Sequence, residues 1–520
     1  MKRPNILFIT TDQHRGDCFG FAGRRVKTPH LDLLAQSGTR FSACITPNIV
    51  CQPSRASILT GLLPLTHGVC DNGIDLDTTT GEAGFAGSLT ASGYHTGFVG
   101  KAHFSTHHTF AKTGRPECQF SEPDYGAGWY GPYMGFEHVE LVVEGHNYWL
   151  PTPLPGGLHH SRWHYGDGLG ELRNELYKKD LGPSTGAPQT FFSALPVAWH
   201  NSTWVGDRAI DFLERHGRKP GTPEPGTSAQ EPFCLWVSFP DPHHPFDCPE
   251  PWSRLHHPDE VDLPEHRTTD FERRPWWHRA SMETRPQGSA EVQAVRQNFS
   301  RMPTPDDKQL RHITANYFGM ISLVDHQVGR ILDALRLQGL DEETLVVFTS
   351  DHGDWLGDHG LMLKGPMAYE GVLNVGLIVR GPGVQAGVSV REPVSTLDLA
   401  ATFYDYAKAS ALAPVHGRSL RPLLESSRHT RDSALSEWNV AASRCGVELQ
   451  LRTVRTRDWK LTLEAHSGAG EMYKLSDDPT EMDNLYDDPG YAAVRKDLLD
   501  MIASRPRDQL QQPLQPSGIA

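Results

Sequence analysis

Two acidic residues stand directly after short apolar runs: Asp12 after Asn5–Thr10, and Asp351 after Leu345–Ser350. In open α/β sheets, ligands gather at the carboxyl ends of the strands, so carboxylates delivered there from distant parts of a chain can converge on one ion. The next residues, Gln13 and His352, add an amide oxygen and an imidazole. An oxygen-dominated set suits a hard divalent ion such as Ca2+ or Mg2+, and the imidazole also admits Mn2+. Taken alone, acidic residues at such places also simply mark strand-to-loop turns. A second chemistry comes from Cys51-Gln52-Pro53-Ser54-Arg55-Ala56-Ser57-Ile58-Leu59-Thr60-Gly61. Pro53 near the first turn and Gly61 as a stop define a short helix with Cys51 just ahead of its amino end. Backbone N–H groups there favour a tetrahedral anion, and Arg55, one turn in, adds a fixed positive fork. A cysteine so placed is a candidate low-pKa nucleophile or redox site.

The elements that must position these residues are short, wholly apolar or β-branched runs: Asn5–Thr10, Thr96–Val99, Phe233–Phe239, Leu345–Thr349 and Val375–Val379. Such runs suit strands buried on both faces of a mostly parallel sheet, giving an α/β sandwich. Helices are expected from Thr28-Pro29 to Gly38 and from Ala315 to Leu337. Residues 104–232 and 247–305 read as excursions above the sheet, functional lids or plain surface padding. Trp129, Tyr130, Tyr133, Tyr148, Trp149, Trp163 and Tyr165 in the first of them are either an apolar substrate wall or packing anchors. The texture changes near 415. Val447–Arg455 and Trp459–Leu463 read as a hairpin turning at Arg457-Asp458, followed by a helix from Pro489 to Ser504. The expected division is therefore a catalytic α/β domain over 1–414, a smaller C-terminal α+β subdomain over 415–504, and a Pro/Gln-rich tail over 505–520. The tail is expected to be disordered or to wrap a neighbouring subunit.

Composition removes other classes. Lys and Arg number 49 against 63 Asp and Glu, a formal charge of −14, which argues against a nucleic-acid binder needing a basic footprint. No stretch approaches the ~18 apolar residues of a membrane span, and the amino terminus lacks the h-region of a signal peptide. The eight cysteines form no CxxC pair and read as free thiols of a reducing compartment, so a cytoplasmic location is expected.

The Cys-x-Pro-Ser-Arg-Ala-Ser-x-Leu-Thr-Gly segment resembles the signature of the type I sulfatases, in which the cysteine is oxidised after translation to Cα-formylglycine. The chain follows that family in order through Gly100-Lys101-Ala102-His103, Asp241-Pro242-His243-His244-Pro245, Thr349-Ser350-Asp351-His352-Gly353-Asp354, Lys364 and Tyr369-Glu370-Gly371. Trp459-Lys460-Leu461 and Asp478-Pro479-Thr480-Glu481 are similar to its C-terminal subdomain. The resemblance implies an alkaline-phosphatase-like fold and one divalent ion, Ca2+ before Mn2+ or Mg2+, held by Asp12, Gln13, Asp351, His352 and the formylglycine made from Cys51. Gln13 and His352 stand where many members have Asp and Asn or Gln. That version resembles a branch with choline-sulfatase-like enzymes, aryl sulfatases and phosphonate monoester hydrolases.

The implied activity is hydrolysis of sulfate monoesters, aryl or other small organic sulfates, through a covalent sulfo-formylglycine intermediate. In it Lys101, Lys364 and Arg55 neutralise the sulfuryl oxygens, His243, with Lys364, protonates the leaving alcohol, and His103 deprotonates the second hydroxyl of the aldehyde hydrate. The implied partners are a small-molecule sulfate ester and a formylglycine-generating or equivalent maturation enzyme. No nucleic acid or membrane is expected, and a homo-oligomer is left open. Asp354, Asp358 and His359 are further candidates for the pocket wall. The alternative is a phosphonate monoester hydrolase or phosphodiesterase on the same site. The Lys101 and His103 pair tilts the choice to sulfate.

Overall fold

The computed structural model describes residues 2–143, 157–216, 231–428 and 431–519; the expectations for Tyr148 and Trp149 lie outside these. The central sheet is built from β1 (Asn5–Thr11), β2 (Thr39–Ile45), β3 (His95–Gly100), β4 (His138–Leu141), β5 (Phe233–Ser238), β6 (Thr344–Ser350), β7 (Asn374–Arg380), β8 (Val388–Val390) and β9 (Val394–Ser395). Their order is β4-β3-β5-β1-β6-β7-β2-β8, with β9 on β2. Every pairing is parallel except those of β7, which runs antiparallel to both β6 and β2. The apolar run Val375–Val379 marked a buried strand correctly but carries no sign of direction.

Strands β1, β5 and β6 are buried at every position. Alternation along β1 divides the core: Ile6 and Phe8 pack with Phe85, Leu89, Trp236 and Phe403 on one face. Leu7 and Ile9 pack with Leu31, Phe212, Val324 and Val328 on the other. Each such side chain contributes about 1.5–3 kcal/mol on burial. The helix Asp307–Leu337 covers the second face and starts eight residues before Ala315, because Asp306 and Gln309 close a capping box. The helix Pro29–Gln36 lies beside it. The excursion reading of 104–232 is corrected in part. β4 is an edge strand of the sheet, and the helix Asn201–His216 packs Trp204, Val205, Ala209 and Phe212 against it.

A second, antiparallel sheet is formed by β10 (Ala434–Val440), β11 (Leu449–Arg455), β12 (Trp459–Glu464) and β13 (Gly470–Lys474). The hairpin β11–β12 falls where the sequence put it. The helix Ala492–Ala503 packs Leu498 onto Val454, Leu461 and Met472 of this sheet. The tail is ordered against its own chain rather than disordered. It runs back along its own chain, with Leu510 N donating to Leu65 O, Ser517 N to Gly73 O and Ile519 N to His108 O. All eight cysteines are free thiols. No helix among the described residues is long and apolar enough to cross a membrane.

Register alone assembles the site. Thr11 pairs with Ser350, Thr10 with Ser238, and Gly100 with Ser238. Asp12, Lys101, Asp351 and the loop after Ser238 therefore leave the sheet side by side at its carboxyl edge.

Candidate active site

Cys51 is the first residue of the helix Cys51–Thr60 rather than the residue before it, and Gly61 ends that helix with φ 69°. Thr46 Oγ1 and Ser54 Oγ both donate to the Asp351 carbonyl, at 2.6 and 2.7 Å, which fixes the helix start against the end of β6. The Cys51 sulfur lies 3.6 Å from Asp12 Oδ1, 3.2 Å from His352 Nε2 and 3.3 Å from Lys364 Nζ. His103 and His243 also hydrogen-bond it. Burial pushes the thiol up, but Lys364, His352 and Lys101 outweigh it and hold the group well below the ordinary thiol range.

Asp12, Cys51, Asp351 and His352 are all buried, and one ligand atom from each lies within 4.8 Å of the others. Burial, and then the like charge of Asp12, raise the Asp351 carboxyl above its usual range. Asp12 is driven the other way: burial and Cys51 raise it, yet Lys101, His243 and Arg55 carry it far below. Burial lowers the His352 imidazole, but Asp351 more than reverses this. Its Nδ1 faces the Gly353 carbonyl at 2.8 Å, an acceptor only, which leaves Nε2 toward Asp12. Two buried carboxylates and an oriented imidazole fit one divalent cation.

Arg55 departs from its expected role. Its side chain is fully buried, with Nε donating to Asp351 Oδ2 at 2.8 Å, Nη1 to Lys101 O at 2.6 Å and to Ser238 Oγ at 2.7 Å, and Nη2 to Asp12 Oδ2 at 3.4 Å. The fork is spent on protein groups, so it positions the two carboxylates instead of facing a ligand. Lys101 Nζ lies 2.7 Å from Asp12 Oδ2; burial lowers its ammonium, and Asp12 more than restores it.

Gln13 sits at φ 65°. Its Oε1 accepts from Lys364 Nζ at 2.7 Å and its Nε2 donates to Asp354 Oδ2 at 2.6 Å, while its main-chain N–H reaches Asp351 Oδ1 at 3.1 Å. Asp354 therefore holds Gln13 and does not line the cavity. Asp358 pairs with Arg15 at 2.7 Å, and the His359 ring stacks on Tyr369 at 3.7 Å, away from Cys51.

Lys364 Nζ lies 3.0 Å from His243 Nε2. His243 Nδ1 faces the His244 carbonyl at 2.6 Å and so carries the ring proton. Burial, then Lys364, push this imidazole down to about 4. With Nδ1 donating, His243 Nε2 turns its lone pair toward Lys364 Nζ. His103, at φ 52°, is anchored through its main-chain N–H to Glu117 Oε2 at 2.6 Å, and its Nδ1 has no hydrogen-bond partner among the described residues.

Cys51, Lys101, His103, His243, His244 and Lys364 open into one cavity of about 440 Å³. Trp129, Tyr130, Tyr133, Trp163 and Tyr165 do not line it: Tyr133 OH, for example, donates to Glu117 Oε1 at 2.7 Å, and Trp129 packs on Tyr125. The apolar wall comes instead from Val143, Val295, Phe299, Leu363 and Ile519, which no local pattern marks as neighbours.

The family model described as "Sulfatase" matches residues 4–145 and 205–409. The chain belongs to the sulfatase family. A model described as "N-sulphoglucosamine sulphohydrolase, C-terminal" matches residues 357–508 of this sulfatase-family chain. The arylsulfatase of Clostridium perfringens is 28% identical over 515 residues, spanning 94% of this chain and 91% of the relative. The choline-sulfatase of Rhizobium meliloti is 28% identical over 494 residues, spanning 94% and 83%. A crystal structure of the phosphonate monoester hydrolase of Agrobacterium radiobacter superposes with a TM-score of 0.76 at 27% identity, covering 98% of this chain and 97% of its own.

Proposed function

We propose that this chain hydrolyses sulfate monoesters of small organic alcohols, phenols foremost, to the alcohol and sulfate. The reading rests on one observation: Lys101, Lys364, His103 and His243 and the cluster Asp12, Asp351 and His352 all gather around Cys51. Asp12, Asp351, His352 and position 51 would hold the divalent ion, Ca2+ before Mn2+ or Mg2+, with Gln13 as a further oxygen. A Cα-formylglycine hydrate at position 51, beside that ion, supplies the nucleophile when both are present. The contacts of the Cys51 sulfur then stand in for those of the hydrate oxygens.

The protein's own side chains do the rest. Lys101 and Lys364 meet the charge on the sulfuryl oxygens with preorganised ammonium groups in a water-poor pocket. Lys364 gives up the proton that the leaving alcohol needs, and His243 keeps its Nζ aimed. His103, which hydrogen-bonds position 51, takes a proton there when sulfate leaves. Arg55 holds Asp12 and Asp351 in register. A maturation enzyme that oxidises Cys51 and a cytoplasmic setting with free thiols belong to the same reading.

The second reading, phosphonate monoester hydrolysis, is favoured by the superposition on the Agrobacterium radiobacter enzyme; the paired Lys101 and His103 favour sulfate. The deciding experiment measures turnover of 4-nitrophenyl sulfate and a phenyl phosphonate ester side by side. The protein is first checked by mass spectrometry for an aldehyde in the Phe41–Arg55 tryptic peptide. Sulfate turnover should dominate and vanish in Cys51→Ala. A strong preference for the phosphonate would move the assignment to the second reading.

A further inference from the structure

The cavity that holds Cys51, Lys101 and Lys364 also reaches two arginines that take no part in the site described above, Arg296 and Arg444. Arg296 stands on the helix Ala290–Asn298, and Arg444 on the short helix Ala442–Cys445 before β11. Their exposures are 6% and 7%, so both guanidinium groups have left bulk water. Such groups are ordinarily paired with carboxylates. Here, among the described residues, Arg296 Nη2 donates only to main-chain carbonyls, those of Asn72 at 3.4 Å and of Ile519. Arg444 Nη1 lies 3.4 Å from Asp71 Oδ1 yet makes no hydrogen bond among the described residues.

Among the described residues, one carboxylate, Asp71, thus serves two buried cations. The other acids on the cavity do not restore the balance. Glu117 is bound by the main-chain N–H groups of His103, Phe104 and Ser105 and by Tyr133, while Glu291 is exposed to solvent. Burial, then the like charge of Arg444, push the Arg296 guanidinium down to about 9, and Asp71 offsets this only in part. Apolar side chains, Val295, Phe299, Leu363 and Ile519, line the same cavity. A ligand bound there meets a cationic end at Lys101 and Lys364, an apolar wall, and a second cationic patch.

We propose that Arg296 and Arg444 form a second anion subsite, so that the preferred substrate is a sulfate monoester whose alcohol carries a further anionic group, a carboxylate or a second sulfate. This deepens the sulfatase reading and rests on it for the position of the reacting ester. The fork of Arg296 takes a planar carboxylate or two sulfate oxygens in the same way.

The test is equilibrium binding by calorimetry on the aldehyde-bearing, Ca2+-loaded protein, using benzenesulfonate, 3- and 4-sulfobenzoate, and benzene-1,3- and 1,4-disulfonate. At least one dianion should bind tenfold or more tightly than benzenesulfonate, and the comparison of carboxylate with sulfonate tells which second anion is preferred. The advantage should shrink to about twofold in Arg296→Met and Arg444→Met and return in part in Arg296→Lys. Affinities equal to that of benzenesulfonate for every dianion would overturn the subsite. Arg296 also pins the Ile519 carbonyl, so if its Met variant is unstable, Arg444→Met and the unaltered protein decide. Kinetics supply the second arm: carboxyphenyl sulfates should show a lower KM than their carboxamide counterparts, and Arg296→Met should abolish the difference while sparing the carboxamides. A purely structural arginine would lower both alike. Equal KM values with active turnover refute the subsite alone, whereas no sulfate turnover refutes the sulfatase reading and leaves the binding comparison to judge the subsite.

Discussion

Replacing Arg55 with Met separates a substrate clamp from a structural tie. The guanidinium bridges Asp351 at 2.8 Å and Asp12 at 3.4 Å, with none of the three exposed to solvent. Removing one partner of a buried ion pair costs about 3–5 kcal/mol, because the remaining charges stay desolvated. Spread over the unfolding entropy of a 520-residue chain, about 2.1 cal/mol/K per residue, this lowers the melting midpoint by about 3–5 °C if the chain unfolds as one unit. The assay is differential scanning calorimetry of Arg55→Met and the unaltered protein, each in EDTA and in excess Ca2+. The deficit should be largest in EDTA and shrink with Ca2+, since a bound cation replaces the missing positive charge and stabilises by mass action. A variant that melts within 1 °C of the unaltered protein in EDTA, and has lost only kcat, would refute the argument and return Arg55 to the substrate.

Other outcomes follow from single contacts. Lys364→Met should lower kcat at least hundredfold on an alkyl sulfate and much less on 4-nitrophenyl sulfate, whose leaving group needs no proton; equal losses would show that Lys364 is no acid. Chelation should lower the melting midpoint of the unaltered protein, with Ca2+ restoring it, because Asp12 and Asp351 then face each other without the ion; unchanged melting would count against the metal site. Asp325 accepts the main-chain N–H groups of His30 and Leu31, at 3.2 and 2.8 Å, and burial pushes its carboxyl up to about 7. A folded pKa above the unfolded value gives stability that is complete below about pH 4 and lost as pH rises through 7. Asp325→Asn should therefore lack a decline of about 2–3 kcal/mol that denaturant titrations of the unaltered protein show between pH 5 and 8. Parallel pH profiles would refute this.

The site was legible where a local pattern has a geometric consequence. An apolar run ending in Asp places a carboxylate at a strand end, and Pro53 with Gly61 frames a helix around Cys51. Direction and function of contacts were not so encoded. The run Val375–Val379 looks the same parallel or antiparallel. The pattern of β2, irregular between Phe41 and Cys44, hid a strand that four others pair with or adjoin through β7. Arg55 reads as an anion fork until Asp12, Lys101, Ser238 and Asp351, each from a different stretch, are seen to occupy it. Asp354 reads as a pocket-wall candidate until Gln13 is seen to occupy it. Arg296 and Arg444 stood in segments read as an excursion and a separate subdomain, and only the tertiary fold brings them to one cavity.

Arg55 and Cys51 belong to one helix, yet their partner Asp351 lies 300 positions further along the chain from Cys51. At a synthesis rate of about 5–20 residues per second, roughly 15–60 s separate the emergence of the thiol from that of the strand that entombs it. Cys51 is 1% exposed once the sheet closes. On the proposed reading, an enzyme that oxidises Cys51 has that interval on the nascent chain to work in, and a chain that folds first keeps its thiol.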